Sequence, residues 1–250
     1  MLILDIGNTF TKWCLVTLNS ASAIQRFKTE DLENNFPLLL KHYGDVRTVY
    51  VSTVRSIEVV NLLAAKYISK GVKIIQVRPE RERGGLKNGY FDHEKLGVDR
   101  WLAMVSVWTR FKRACCVVCA GTALTIDLID GDGQHLGGYI LPGLRTTISS
   151  LNLSTDLIDC LLIQQNDKLH LGAGHTTTEA VQHGAALSLT GALQKALQLL
   201  CMHSACKEPV CVIGGGDAEQ LMQILDGCWI KNEFLVVDGL KLYAQNGWQI

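Results

Sequence analysis

The chain opens on an arrangement that could handle phosphate. In LILDIGNTFTK, an apolar run ends at Asp5, Gly7 follows two residues later, and Lys12 comes five residues after that. A carboxylate closing a buried strand can hold a divalent cation directly or through water. A glycine at the turn lets successive backbone N–H groups crowd into a concavity that suits phosphate oxygens, and a nearby lysine can pair with those oxygens. Plainer readings stand beside these: Asp5 as a turn residue serving nearby N–H groups, and Lys12 as a solvated strand-edge cation. A second stretch, VVCAGTALTIDLI, repeats the design, with Gly121 answering Gly7 and Thr125 answering Thr11 at an offset of 114 residues. Two such turns, each ending an apolar strand and set near half of a 250-residue chain apart, read either as ordinary β-turns, where Gly, Asn and Thr are common, or as phosphate-binding clusters on the two walls of a cleft, and the pattern alone leaves the two even.

Two further groups bear on chemistry. Asp99 stands in LGVDRW beside Arg100. It reads either as a first-turn carboxylate favoured by the helix dipole or as a general base taking a proton from a substrate hydroxyl, with Arg100 as an anion clamp. Spacing alone favours the first. The run VIGGGD at 212–217 ends a strand and opens a helix, where glycines can lie flat against a base or ribose. It has neither the G-K-[ST] of a P-loop nor a G-x-G-x-x-G.

These residues need elements to hold them. Patterning predicts strand, tight turn and strand at 2–4 and 13–16, a third strand near 24–27, and a helix over 31–42 with Pro37 tolerable in its first turn only. A strand at 48–53, a helix from a Ser56 cap to Ser69 closed by Gly71, and a strand at 73–77 follow. Residues 78–96 are polar, glycine-bearing and long for a plain connection, which marks a functional loop. A helix at 97–112 puts Val98, Leu102, Val105, Trp108 and Phe111 on or near one face. Strands at 115–119, 124–129 and 136–141 come next, the last two joined through Gly131-Asp132-Gly133. Helices at 144–153 and 178–201, a strand at 210–213 with a helix after it, a last strand at 234–237 and a C-terminal helix complete the pattern. The expected architecture is α/β in two related halves, 1–114 and 115–250, with a cleft between them.

Composition narrows the class. Hydrophobic residues at 48% against 19% charged describe a globular chain. Lys and Arg number 24, as do Asp and Glu, so no basic excess draws nucleic acid. No basic leader precedes the apolar N-terminal run, and the uncharged stretches are too broken to span a bilayer, so a cytoplasmic protein without membrane attachment is expected. Nine cysteines, an odd count, fit a reducing compartment. Cys116 and Cys119 form a C-x-x-C, but strand residues three apart face opposite sides, which favours buried strand cysteines over a zinc site. His93, His135 and His175 show no metal spacing and read as loop or surface residues.

Taken together, DIGNTFTK (5–12), NGYFDHEKLGVDRW (88–101), AGTALTID (120–127), GGYILPG (137–143), TTEAVQHG (177–184), GGDA (215–218) and the late DGL (238–240) resemble the type III pantothenate kinases of the acetate/sugar kinase–Hsp70–actin superfamily. The resemblance runs nearly the whole chain and rests on the order of its motifs. It implies a duplicated ribonuclease-H-like fold of the actin-like ATPase kind, a homodimer, and ATP-dependent phosphorylation of pantothenate to 4′-phosphopantothenate on the way to coenzyme A. It implies Asp99 as general base and Asp5 as the carboxylate of a Mg²⁺ that accompanies ATP. Asp5, Ile6, Gly7, Asn8, Thr9, Phe10, Thr11 and Lys12, with Gly121 and Thr122, would hold ATP. Tyr90, Gly97, Val98, Asp99, Arg100 and Thr177 would hold pantothenate, Thr177 reaching the site from the partner subunit.

Two positions depart from the family pattern. The resemblance implies a monovalent cation, K⁺ or NH4⁺, but Cys119 stands where the family has an aspartate that helps bind it, and a neutral thiol is a poor ligand for a hard cation, so the dependence is in question and carbonyls and water are the alternative ligands. His93 stands where the family has proline. A catalytically impaired nucleotide-binding regulator of the same fold, and a kinase for another small hydroxyl substrate, are the competing readings.

Overall fold

Residues 2 to 6 alternate little and bury almost completely, as a strand covered on both faces must. In the computed structural model, which describes residues 1–17, 20–54, 57–68, 71–155, 158–160, 163, 164, 167–204 and 206–245, this strand is β1 (Leu2–Ile6). It pairs antiparallel with β2 (Phe10–Leu15) and parallel with β4 (Thr48–Thr53). Adding β3 (Gln25–Lys28) and β5 (Lys73–Gln76) gives a five-stranded sheet in the order β3-β2-β1-β4-β5.

The second half repeats that order strand for strand. β8 (Cys115–Ala120), β9 (Ala123–Ile129), β10 (His135–Pro142), β11 (Val210–Gly214) and β12 (Trp229–Lys231) form a sheet in the order β10-β9-β8-β11-β12. Each central strand has an antiparallel neighbour on one side and a parallel one on the other. The repeat seen in the glycine turns is therefore a repeat of topology, and the fold is α/β with two mixed sheets, a duplicated ribonuclease-H-like design.

The chain forms two compact units. The first gathers Met1–Arg81, Tyr90–Ser106 and Leu235–Ile250. Its core joins Leu2, Leu4, Ile6 and Trp13 to Val49 and Val51 of the sheet, Phe36 of α1 (Leu32–His42) and Tyr67 of α2 (Ile57–Ile68). The second gathers Glu82–Gly89 and Val107–Phe234. Its core joins Cys116, Val118, Leu124 and Ile126 to Leu144 of α4 (Leu144–Ser154) and a stripe of α5 (Thr177–Ser204). Among the described residues α5 is the one helix long and apolar enough to cross a membrane. Its residues Val181, Ala185, Leu189, Leu193, Ala196 and Leu200 are buried at helical spacing in this core.

Several expected boundaries move. Residues 234–237 are not a strand: α7 (Leu235–Gln245) begins there, and β12 precedes it. The side chain of Asn232 accepts a 2.9 Å bond from the Phe234 N–H, which turns the chain, and Leu235, Val237, Leu240 and Tyr243 then bury at helical spacing. Tertiary burial overrides the β-branched composition. Pro37 is the sixth residue of α1, beyond the first turn, and costs the helix its bond to the Glu33 carbonyl. The 78–96 segment contains a two-stranded hairpin, β6 (Glu82–Arg83) and β7 (Leu86–Lys87), and a 3₁₀ turn at His93–Lys95. Gly71 adopts φ +75°, fitting a helix stop, while Ser56 and Ser69 lie outside the described residues. Cys116 is fully buried on its strand and the surrounding apolar groups push its thiol well up, so the C-x-x-C reading as strand cysteines holds for it.

Candidate active site

In the first unit, sheet register assembles the chemistry. Asp5 pairs with Lys12 across β1–β2 and with Ser52 across β1–β4, so the three side chains emerge on one face. Ser52 Oγ donates to Asp5 Oδ1 at 2.8 Å. Burial pushes the Asp5 carboxyl up to about 6, with Lys12 and the Ser52 bond pulling the other way and the negative charge of Asp99 adding to the rise. Asp5 and Asp99, 94 positions apart in sequence, thus share one electrostatic neighbourhood.

The turn after β1 is closed by Gly7 N–H donating to the Phe10 carbonyl at 3.1 Å, and a Cβ on Gly7 would meet that same oxygen at 2.9 Å. Asn8, Thr9 and Phe10 are exposed at the turn, whereas Ile6 is buried in the core and can offer only its backbone outward. Thr11 is likewise buried, its hydroxyl 3.1 Å from that of Thr29. Thr29 also donates to the Gly7 carbonyl at 2.9 Å, and its N–H binds the Thr9 carbonyl at 3.0 Å. Thr11 therefore braces the turn from within, and Thr29, a residue the motif does not contain, is the second brace.

Asp99 and Arg100 open α3 (Val98–Phe111). Gly97 caps that helix, its carbonyl accepting from Trp101 N–H at 3.0 Å. A Cβ at position 97 would lie 2.6 Å from Asp99 Oδ1, so the missing side chain is what lets the carboxylate fold back over the helix start. Arg100 is 3% exposed and donates to the Tyr90 hydroxyl at 2.7 Å, with its guanidinium 5.6 Å from the Tyr90 ring centre. The helix is locked from behind: Trp101 Nε1 donates to Tyr243 of α7 at 2.9 Å, and Gly239 of α7 lies so near the Leu102 carbonyl that a Cβ would collide with it. The late DGL motif thus serves helix–helix approach. A cavity of about 400 Å³ opens beside Gly97 and Val98, lined also by Thr53, Val77, Arg78 and Glu94.

The second unit builds its own turn after β8. Gly121 N–H donates to the Ala123 carbonyl at 3.0 Å. Gly143 at the start of α4 donates to the Thr122 carbonyl at 2.9 Å, and Thr146 Oγ adds a 2.7 Å bond to the same oxygen. Gly215, at φ +98°, packs on the Ala120 backbone too closely for any side chain. The glycine triplet thus props the turn from one side and Gly143 from the other. Beneath it the buried Asp217, whose carboxyl burial pushes up, meets Arg145 at 2.5 Å. α6 (Ala218–Met222), which follows, has five residues. Cys119 is half-buried at the end of β8. Thr177 is exposed at the first turn of α5, where Thr176 Oγ accepts from the Glu179 N–H and the Glu179 carboxylate accepts from the His175 N–H, so that both side chains close the helix start.

Of the three histidines read as loop or surface residues, His135 is not one: it is 1% exposed and lies 3.0 Å from the equally buried Asp127. A β-bulge between His135 and Gly137 shifts the register and turns the ring inward.

Residues 1–198 match the family model described as type III pantothenate kinase. The type III pantothenate kinase of Cellvibrio japonicus (strain Ueda107) is 34% identical over 247 residues, covering 97% of this chain and 96% of that one. Among solved structures, a Campylobacter jejuni protein described as a conserved Baf family transcriptional activator superposes with a TM-score of 0.60 at 20% identity, covering 99% and 98% of the two chains. A Sinorhizobium meliloti protein described as a 2-dehydro-3-deoxygalactonokinase gives 0.58 at 11% identity, covering 100% and 99%. At those identities the two structures speak for the fold alone, that of the sugar kinases and actin-like ATPases.

Proposed function

The chain belongs to the type III pantothenate kinase family, and from that premise we propose how its residues divide the work of phosphorylating pantothenate with ATP, the step that leads toward coenzyme A. The observation that carries the assignment is the family match over residues 1–198, and the sheet register that sets Lys12 and Ser52 beside Asp5 supports the division of roles.

Asp99 is the general base. It takes the proton of the pantothenate hydroxyl as that oxygen bonds to the γ-phosphorus and the bond to the ADP oxygen breaks. Gly97 leaves the space in which the carboxylate turns toward the substrate, and the cavity beside Gly97 and Val98 is of a size for a small acyl-amide acceptor. Arg100 and Tyr90 bind pantothenate, and their mutual hydrogen bond holds both in position. The backbone N–H groups of the Gly7–Phe10 turn, with Asn8 and Thr9, and those around Gly121 and Thr122, receive ATP phosphates, and Lys12 neutralises oxygens of the transferring group.

ATP brings a divalent ion. Asp5 fits it as protein ligand: a carboxyl raised by desolvation gains most from a cation placed against it. Bound, the ion would supply charge neutralisation at the phosphates.

Cys119 in place of a carboxylate supports turnover that does not depend on K⁺ or NH4⁺. The repeated strand order supports halves 1–114 and 115–250 as the two duplicated domains. A homodimer, with the partner subunit's Thr177 contacting pantothenate, is supported by the exposed apolar Tyr139, Ile140, Leu153 and Leu187 of the second unit. A cytoplasmic protein free of membrane is supported by the burial of one face of α5 in its own core.

A coupled ADP-release assay with pantothenate and Mg-ATP tests the whole reading. The expected result is turnover that requires both substrates. Release of ADP that is indifferent to pantothenate, across cation conditions, rejects it.

A further inference from the structure

His135 and Asp127 are a buried pair that the phosphoryl-transfer chemistry does not use. Their side chains are 0% and 2% exposed, with Nε2 of the ring 3.0 Å from Asp127 Oδ1. The other ring nitrogen, Nδ1, accepts a hydrogen bond from the Gly89 N–H at 3.4 Å. A nitrogen that accepts is bare, so the neutral ring carries its proton on Nε2, where it is donated to Asp127. Asp127 thereby selects the tautomer, and the tautomer leaves a lone pair for Gly89.

The surrounding contacts clamp the same segment. Lys87 N–H donates to the Gly133 carbonyl at 2.8 Å, and Lys87 bridges to Gln134. Trp108 Nε1 donates to the Gly84 carbonyl at 3.2 Å. A Cβ on Gly89 would collide with the His135 carbonyl. All of these residues belong to the second unit. The next peptide bond carries the chain into the first unit, at Tyr90, whose hydroxyl receives the Arg100 guanidinium. A buried carboxylate–imidazole pair is a poor source of stability compared with an apolar pair of the same volume. Its location at the root of the Tyr90 segment gives it another use.

We propose that His135, held in one tautomer by Asp127, is a positioning residue for pantothenate: it pins the Gly89 amide and so fixes where Tyr90, and through it Arg100, meets the substrate. This rests on the assignment of Tyr90 and Arg100 to pantothenate.

Two near-isosteric variants separate positioning from plain stability. In His135→Asn the side-chain oxygen takes the place of Nδ1 and still accepts from Gly89, but the amide is too short to reach Asp127. In His135→Gln the amide reaches Asp127 and leaves Gly89 without its acceptor. The expected result is a pantothenate KM raised roughly three- to tenfold in the Gln variant, the worth of one neutral hydrogen bond, with kcat and the ATP KM within about twofold of wild type. The Asn variant keeps a pantothenate KM near wild type. Equal pantothenate KM values in the two variants, or parallel rises in both substrates' KM that track the loss of melting temperature, overturn the proposal. Ring-nitrogen NMR shifts of His135 in the unmodified protein provide a check that does not depend on any variant folding: Nε2 must be protonated and Nδ1 bare, and the reverse tautomer overturns the proposal. Wild-type protein that does not turn over pantothenate removes the kinase reading instead, while normal wild-type turnover without the Gln–Asn difference removes this proposal alone.

Discussion

Ser52 donates a 2.8 Å hydrogen bond to Asp5, and with Lys12 it opposes the burial that drives the Asp5 carboxyl up to about 6. That balance makes both activity and stability depend on pH, in opposite senses. A carboxyl raised in the folded state binds its proton more tightly there than in the unfolded chain, so stability falls as pH climbs from about 4 to about 6 and is then level. The cost of ionised Asp5 to the ligand-free protein at neutral pH is roughly 3 kcal/mol. Asp5→Asn is therefore expected to raise the denaturant midpoint of the ligand-free protein at pH 7 and to change it little at pH 4, while abolishing turnover. Activity needs the ionised form, so kcat/KM for Mg-ATP should fall on an acid limb near pH 6. Ser52→Ala removes a bond that favours the carboxylate and should move that limb to higher pH. A limb that stays in place, with Asp5→Asn no more stable than wild type, contradicts the assigned environment.

The charge of Asp99 contributes to the same rise. Asp99→Asn should lower kcat by about a hundredfold or more, the loss of a general base, and leave the fold intact. It should also let Asp5 ionise at lower pH, which is visible as an acid shift in the pH dependence of Mg-nucleotide binding. Gly97→Ala places a Cβ 2.6 Å from the present position of Asp99 Oδ1. The side chain can swing away, so the melting temperature should barely change while kcat drops roughly tenfold or more through misplacement of the base. An alanine variant with wild-type kcat would remove Asp99 from the reaction.

Behind Asp99, the α3–α7 contact depends on Gly239 and on the Trp101–Tyr243 bond. Gly239→Ala drives a methyl into the Leu102 backbone carbonyl, and overpacking of this kind costs about 1–3 kcal/mol. Tyr243→Phe leaves the buried indole N–H without its acceptor, at about 1–3 kcal/mol. Both should appear in urea melts. The glycine variant should also lose kcat, because its helix carries the base, and a stability change without any catalytic change would separate α7 from the site.

Much of this was legible in the chain because the signals were local. The strand at Thr48–Thr53 follows from its β-branched run, and the turns at Gly7 and Gly121 follow from glycine at the end of an apolar strand. Asp99 was legible through its motif, since spacing alone left it a first-turn carboxylate. The supporting residues were not legible. Thr29 lies 22 residues from the Gly7 carbonyl it binds, and Ser52 lies 47 from Asp5; sheet order creates both contacts. His135 follows a hairpin turn and looks solvated until the bulge turns it inward. Residues 234–237 look like a strand until Asn232 turns the chain into α7.

Cys119 offers a direct comparison within the second turn. It pairs in register with Thr125 on one side and Gly214 on the other, at the end of β8 just before Gly121. Cys119 is half-buried there, and a thiol is a softer ligand than a carboxylate oxygen. Turnover of the unmodified protein should therefore be the same, within about twofold, in potassium, sodium or a bulky organic cation at equal ionic strength. Cys119→Asp introduces a hard anionic oxygen, which binds K⁺ where a thiol does not. Its ATP KM should fall as K⁺ is added and should stay unaltered with the organic cation. Strong potassium activation of the unmodified protein would mean that backbone carbonyls alone build the cation site, and that the cysteine is a bystander.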